Sequence, residues 1–340
     1  MQTVESRELS YIRAVNEALR WGLEEFPEAI LFGEDVGIPG GPFGASKGLR
    51  SAFGDRVFDT PISESAMIGS ALGAAFGGMR PIVEIMYGDF LLVAMDQIVN
   101  QVANARYVSD GRQQAQLVIR TQHGSTPGSC AQHSQSLEAL YAHIPGLRVA
   151  LPATANDAYQ MLRTSIAVDD PVLVMESRRL YPVKGVVELG SAVQPLGGAL
   201  VRRPGTDVTI VGWGTTVQAS LDAAEELAAS GIDVEVVDLR WAAPLDVETI
   251  VASVAKTHNL VVAHEANVTG GLGGEIVASV LEHLGSQLNR ARRVGTPDLR
   301  VPASPHLSSA VLPTSARIAD VVRTTLSPSA VQPQSKELAR

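Results

Sequence analysis

The segment Asp59-Thr60-Pro61-Ile62-Ser63-Glu64 delivers one carboxylate to the start of a helix rich in small residues, and Glu64 is the first candidate for catalysis. Gly69, Gly73 and Gly77 follow at every fourth position, which lays a nearly bare stripe along one helix face. Such a stripe admits close approach of another backbone. Ser63 can cap this helix, and Glu64 then sits in the first turn, where the dipole favours a negative charge. Taken locally, that is also the description of an ordinary stabilised helix start. A second polar cluster, Ala131-Gln132-His133-Ser134-Gln135-Ser136, lies on a loop after a strand. An imidazole there suits proton transfer or stabilisation of a developing oxyanion. His133, Glu64 and Phe90 all fall near loops that a doubly wound sheet gathers at one edge, which predicts a single site.

The elements that must position these residues alternate between apolar strands and amphipathic helices, the pattern of parallel sheets covered on both faces. A helix is expected over Leu9 to Glu25, and strands over Ala29 to Phe32, Pro81 to Met86, Leu117 to Arg120, Leu147 to Leu151 and Val172 to Glu176. Helices are expected over Met95 to Tyr107 and Asp157 to Ala167. Glycine and proline accumulate over Tyr181 to Pro204, so the first domain is placed at 1–185 and a linker at 186–204. A second α/β domain, 205–326, repeats the alternation, with strands at Val208 to Val211, Val234 to Leu239 and Leu260 to His264. Residues 327–340 read as a polar, disordered tail.

Composition removes several function classes. The chain has 340 residues, 45% of them apolar, and a net charge of −9 that argues against nucleic acid. No run approaches the roughly 20 apolar residues of a membrane helix, and the start of the sequence has no signal-peptide core, so a cytoplasmic protein is expected. A single cysteine, Cys130, leaves no internal disulfide and no multi-cysteine metal site. Gly212-Trp213-Gly214 opens like a dinucleotide fingerprint, but Val217 stands in place of its third glycine, and the turn reads as a plain strand-to-helix connection. Gly270-Gly271-Leu272-Gly273-Gly274 lacks the ending of a phosphate loop and reads as a helix cap or packing element. No nucleophile elbow and no His-Glu-x-x-His is present.

From Leu9 to Arg323 the chain resembles the β subunit of the thiamin-diphosphate-dependent decarboxylating component of 2-oxo acid dehydrogenase complexes. The resemblance rests on Gly33-Glu34-Asp35-Val36, Asp59 to Glu64, Met86-Tyr87-Gly88-Asp89-Phe90, Asp96-Gln97-Ile98, Ala131 to Ser136 and His143-Ile144-Pro145-Gly146-Leu147. In the second half Val237-Asp238-Leu239-Arg240, Pro244-Leu245-Asp246 and His264-Glu265-Ala266 agree in order and spacing. It implies two doubly wound α/β domains, a transketolase-like pyrimidine-binding domain and a transketolase C-terminal-like domain. Glu64 is implied as the carboxylate that binds the aminopyrimidine ring nitrogen, Phe90 as the aromatic residue on the pyrimidine face, and Glu34 as part of the nearby acidic network. His133 is implied in acyl transfer to the lipoyl group. Leu117, Ser165, Val168 and Asp170 match positions that hold a monovalent cation, K⁺, in some relatives.

The chain has no Gly-Asp-Gly with a later Asn, the family's signature for Mg²⁺ and the diphosphate. The resemblance therefore implies an α subunit that supplies this half, in a heterotetramer of two α and two β chains. It also implies docking of the second domain to the small subunit-binding domain of a lipoyl acyltransferase core. Pyruvate is the leading substrate, with acetoin and branched-chain 2-oxo acids as alternatives; Val118 to Thr121 and Ala142 to Leu147 agree with acetoin dehydrogenase β subunits at least as well. Two readings of other classes are a β-like scaffold without turnover and a nicotinamide dehydrogenase, the second disfavoured by the broken glycine fingerprint.

Overall fold

The computed structural model describes residues 4–327, so the expected tail beyond Ser327 lies outside the described residues. Three sheets organise the described residues. The largest has seven strands: β2 (Ala29–Gly33), β3 (Val57–Asp59), β4 (Arg80–Ile85), β5 (Val118–His123), β6 (Arg148–Ala150), β7 (Val172–Ser177) and β12 (Trp241–Ala243). Their order is β12-β6-β7-β5-β4-β2-β3, parallel except for β12. A five-stranded sheet joins β9 (Leu200–Arg203), β10 (Val208–Gly212), β11 (Val234–Asp238), β13 (Asn259–Asn267) and β14 (Arg290–Thr296) in the order β14-β13-β10-β11-β9. In the third, β1 (Glu5–Ser10) pairs antiparallel with β8 (Lys184–Leu189).

The apolar stretches of β2, β4 and β7 follow from burial on both faces, and β5, equally buried, carries Arg120, Thr121, Gln122 and His123 inside. One face of the large sheet packs under the helices Tyr11–Glu25 and Ala155–Ala167, in a cluster with Leu19, Leu31, Ile82, Val174 and Leu162. The second sheet's outer face is closed by the helices Thr215–Ala228 and Ser315–Leu326, where Val208, Ile210 and Val236 cluster with Leu227 and Val322. Between the sheets lies a shared core that takes Ile119 and Met175 from the first and Val211, Val237 and Val262 from the second. The loop ends that face this seam are consequently held by both halves.

Several elements differ from expectation. The first helix begins at Tyr11, because residues Glu5–Ser10 pair with Lys184–Leu189, inside a stretch read as domain end and linker. Leu200–Arg203 of that linker is also a strand, on the edge of the second sheet. Residues Met95 to Tyr107 do not form one regular helix: Gln97–Val102 is π-helical, with Ala103 N–H donating to Ile98 O at 3.0 Å, and Ala105–Val108 forms a separate turn. An i→i+5 bond accommodates one extra residue within a single turn, a local change too short for apolar periodicity to reveal.

Candidate active site

The C-terminal ends of β2, β4, β5 and β7 set out the site, as expected for an open parallel sheet. Glu34 directly follows β2, and Thr60 N–H returns to Gly33 O at 3.0 Å, tying that strand end to the turn before Glu64. Gly33 has no room for a side chain, since a Cβ would lie 2.6 Å from Glu84 O. Glu64 opens the helix Glu64–Phe76 and is buried, with 8% of its surface exposed. Ser63 occupies the N-cap position, but its hydroxyl makes no capping bond; only its carbonyl accepts, from Met67 N–H at 2.8 Å. Burial, reinforced by the neighbouring charges of Glu64, Asp35 and Glu84, raises the pKa of Glu34, and its Oε1 is enclosed without a hydrogen-bond partner.

Phe90 and His133 are brought together. Their ring centroids lie 5.7 Å apart at 89°, and Tyr87 completes the cluster, 4.3 Å from the His133 ring and 6.1 Å from Phe90. Ser65 Oγ donates to Val93 O at 2.7 Å, which couples the start of the Glu64 helix to the segment after Phe90. Tyr87 has a left-handed φ of 66°, a costly conformation for a bulky residue. It is held from three sides: its N–H donates to Gln122 Oε1 at 3.3 Å, Arg178 Nη1 donates to its hydroxyl at 3.0 Å, and Phe43 meets its ring edge-on at 5.7 Å. Arg178 also donates to Thr126 Oγ1 at 2.5 Å in the loop that carries His133.

A buried ionic network supports these loops and was absent from the sequence reading. Arg120 is fully enclosed, donating to Glu84 Oε2 at 2.7 Å and to both oxygens of Glu176 at 2.7 and 2.9 Å. Tyr181 donates to Glu176 at 2.7 Å, and Gln122 donates to Glu84 at 3.1 Å. Burial works against the charge on Arg120, but Glu176 and Glu84 outweigh it and leave its pKa raised. The available signal was register: Glu84 and Arg120 are directly paired across β4 and β5, and Gln122 and Glu176 across β5 and β7.

The four residues matched to a cation site each already have one bonded or ion-paired oxygen. Leu117 O accepts from Val172 N–H at 3.0 Å, and Val168 O accepts from Arg80 at 3.0 Å. Ser165 Oγ donates to Met161 O, while the Asp170 carboxylate pairs with Arg106 and Arg148. Among the described residues no group of three or more His, Cys, Asp or Glu side chains is arranged to hold a metal ion.

The two motifs set aside in the second half pack as structural parts. Gly212-Trp213-Gly214 turns from β10 into the Thr215–Ala228 helix, and Trp213 stacks on His264 at 5.3 Å and 8° while donating to Glu138 at 3.0 Å. Gly273 opens the Gly273–Leu284 helix, and a Cβ there would meet His264 Nε2 at 2.8 Å.

Comparison with known proteins identifies both domains. The family model described as the transketolase pyrimidine binding domain matches residues 7–184, and that of the transketolase C-terminal domain matches 197–318. The β subunit of acetoin:2,6-dichlorophenolindophenol oxidoreductase from Cupriavidus necator is 41% identical, covering 94% of this chain and 98% of its own. The β subunit of the pyruvate dehydrogenase E1 component from Bacillus subtilis is 40% identical over 87% and 92% of the two chains. The chain belongs to the family of thiamin-dependent 2-oxo acid dehydrogenase β subunits. The 2-oxoisovalerate dehydrogenase β subunit of Bacillus subtilis is 39% identical to this β subunit over 88% and 91% of the two chains. A split-gene transketolase, solved as an inactive β4 tetramer, superimposes with a TM-score of 0.73 at 26% identity, over 94% of this β subunit and 98% of that chain.

Aminopyrimidine-type recognition fits what this β subunit presents: a buried carboxylate at a helix start, a second carboxyl with an unpartnered oxygen, and an aromatic ring at the same sheet edge. The sequence holds no Gly-Asp-Gly signature for a diphosphate and its metal.

Proposed function

We propose that this β subunit forms half of a thiamin-diphosphate site for oxidative decarboxylation of pyruvate, completed by an α subunit that holds Mg²⁺ and the diphosphate. The carrying observation is the joint placement of Glu64, Glu34 with its unpartnered Oε1, and the Phe90–His133 pair at one sheet edge, in a chain lacking the Gly-Asp-Gly signature for the diphosphate. The cofactor supplies the electron sink for decarboxylation. Glu64 holds a proton at the aminopyrimidine ring nitrogen, Phe90 packs on the ring face, and His133 donates a proton to the opening lipoyl disulfide. A monovalent cation at Leu117, Ser165, Val168 and Asp170 belongs to this reading as well, since a carbonyl that accepts one hydrogen bond, as those of Leu117 and Val168 do, keeps a second lone pair for it.

The α chain's seat is the outward face of the Glu64–Phe76 helix. Gly73 opens to free space there, and an adjoining cavity of about 340 Å³ is lined by Phe32, Phe58, Pro61, Met67 and Ala74. Ile62 is 76% exposed and Phe76 44%, an apolar surface suited to a permanent partner in an α₂β₂ assembly. The second domain is read as the dock for a lipoyl acyltransferase core. Acetoin is the second reading for substrate, favoured by the 41% identical Cupriavidus necator relative that this chain covers almost end to end.

The test is co-expression with an α chain carrying the Gly-Asp-Gly signature, followed by assay of pyruvate, branched-chain 2-oxo acids and acetoin with thiamin diphosphate, Mg²⁺ and an artificial electron acceptor. Turnover that requires both chains supports the shared site and names the substrate. An assembly that binds cofactor and turns over none of them supports the scaffold reading instead.

A further inference from the structure

His133 sits on a loop between β5 and the turn at Glu138–Ala142, and that loop is not fixed by its own domain alone. Its beginning is gripped by Glu265, on β13 of the second sheet. Ser125 N–H donates to Glu265 Oε1 at 2.5 Å, and Thr215 Oγ1 donates to Glu265 Oε2 at 2.8 Å, so both carboxylate oxygens are committed. Gly124, with a left-handed φ of 76°, leaves the room this requires, because a Cβ would fall 3.0 Å from Glu265 Oε1.

Inside the loop a chain of bonds runs from that grip to the imidazole's neighbours. Thr126 N–H donates to Ser129 Oγ at 2.9 Å, Ser129 and Ser134 share a hydroxyl bond of 2.6 Å, and Ser134 Oγ donates to Cys130 O at 2.5 Å. His133 lies between the two bonded residues Cys130 and Ser134, so the loop behaves as one knotted unit. Two further contacts from the second half hold its far end: Arg300 donates to Gln135 Oε1 at 2.5 Å, and Trp213 donates to Glu138 at 3.0 Å.

We propose that Glu265 is a positioning residue for His133, through which the second domain sets the imidazole against Tyr87 and Phe90 for acyl transfer to the lipoyl group. This rests on the role given to His133 above. The second domain then takes part in the reaction's later half in addition to assembly. Glu265 touches neither substrate nor cofactor; it acts by fixing the Ser125 amide.

The experiment uses the α/β assembly with the substrate that it turns over, and two assays. One follows reduction of an artificial electron acceptor, which needs no lipoyl group; the other follows free lipoamide. Glu265→Ala is expected to lower the lipoamide-dependent kcat at least tenfold while the artificial-acceptor rate stays within twofold. Glu265→Gln, which retains an oxygen to accept from Ser125, is expected to restore most of the loss. In a His133→Ala background Glu265→Ala should add nothing further, the signature of two residues acting as a unit. If Glu265→Ala fails to assemble, Glu265→Asp, shorter by one methylene with its charge intact, gives the same comparison. The proposal is overturned if Glu265 variants slow both assays equally or leave the lipoamide rate unchanged while His133→Ala abolishes it. If His133→Ala itself leaves the lipoamide rate intact, the reading of His133 falls, and the proposal with it.

Discussion

The Tyr87 ring lies 4.3 Å from the imidazole of His133, at 59°, on a backbone twisted into the left-handed region. Strain of that kind persists where surroundings enforce it, and here Gln122, Arg178 and Phe43 do so. An aromatic pair contributes about 0.5–1.5 kcal/mol beyond burial. Tyr87→Ala should therefore reduce lipoamide-dependent turnover by about two- to tenfold. Tyr87→Phe, which keeps the ring and loses only the bond from Arg178, should stay close to wild type in the same steady-state assay.

Glu64→Gln removes the proton-sharing carboxylate while preserving shape. The assembly should still bind thiamin diphosphate, followed by tryptophan fluorescence or calorimetry, but lose about 10²–10⁴-fold in turnover, the range for a positioned acid–base group. Undiminished turnover would remove Glu64 from the chemistry.

Arg120 tests the support beneath the site. Arg120→Met strands Glu84 and Glu176 in the interior with no counter-charge, which should cost about 3–5 kcal/mol in urea unfolding of the assembly. Replacing all three by apolar residues of similar volume should cost far less, because the desolvation of the ions disappears with them.

Burial lowers the pKa of both His123 and His264 to about 4, so each ring is neutral in the fold at pH values where the unfolded chain protonates it. The unfolded state then binds more protons between about 6.5 and 4, and stability falls on acidification through that window, by about 1.4 kcal/mol per pH unit for each ring. Denaturant midpoints at pH 7 and pH 5 measure the slope, and His123→Asn should remove one ring's share of it.

Much of this arrangement is legible in the chain. The strands Ala29–Gly33, Arg80–Ile85 and Val172–Ser177 announce themselves by their apolar stretches, because a parallel sheet hides both faces. The strands Glu5–Ser10, Lys184–Leu189 and Leu200–Arg203 do not, being exposed, mixed in character and dependent on partners far away in sequence. Glu64, Phe90 and His133 are visible as residue types beside strand ends and as parts of family motifs. Tyr87's strained geometry and the grip of Glu265 on Ser125 arise only when two distant segments meet, and Arg120 inside a buried strand gives no local sign of the two carboxylates that receive it.

The large sheet ends in β12, Trp241–Ala243, which arrives from beyond β10 and β11 of the other sheet and runs antiparallel to β6. The N-terminal half is thus unfinished when its own residues have left the ribosome. Until Trp241 emerges, β6 presents an open ladder of amides and carbonyls to any passing strand. A chain cut at the 186–204 segment would leave the first half with that raw edge, so the second half serves the first as the cover of its open sheet.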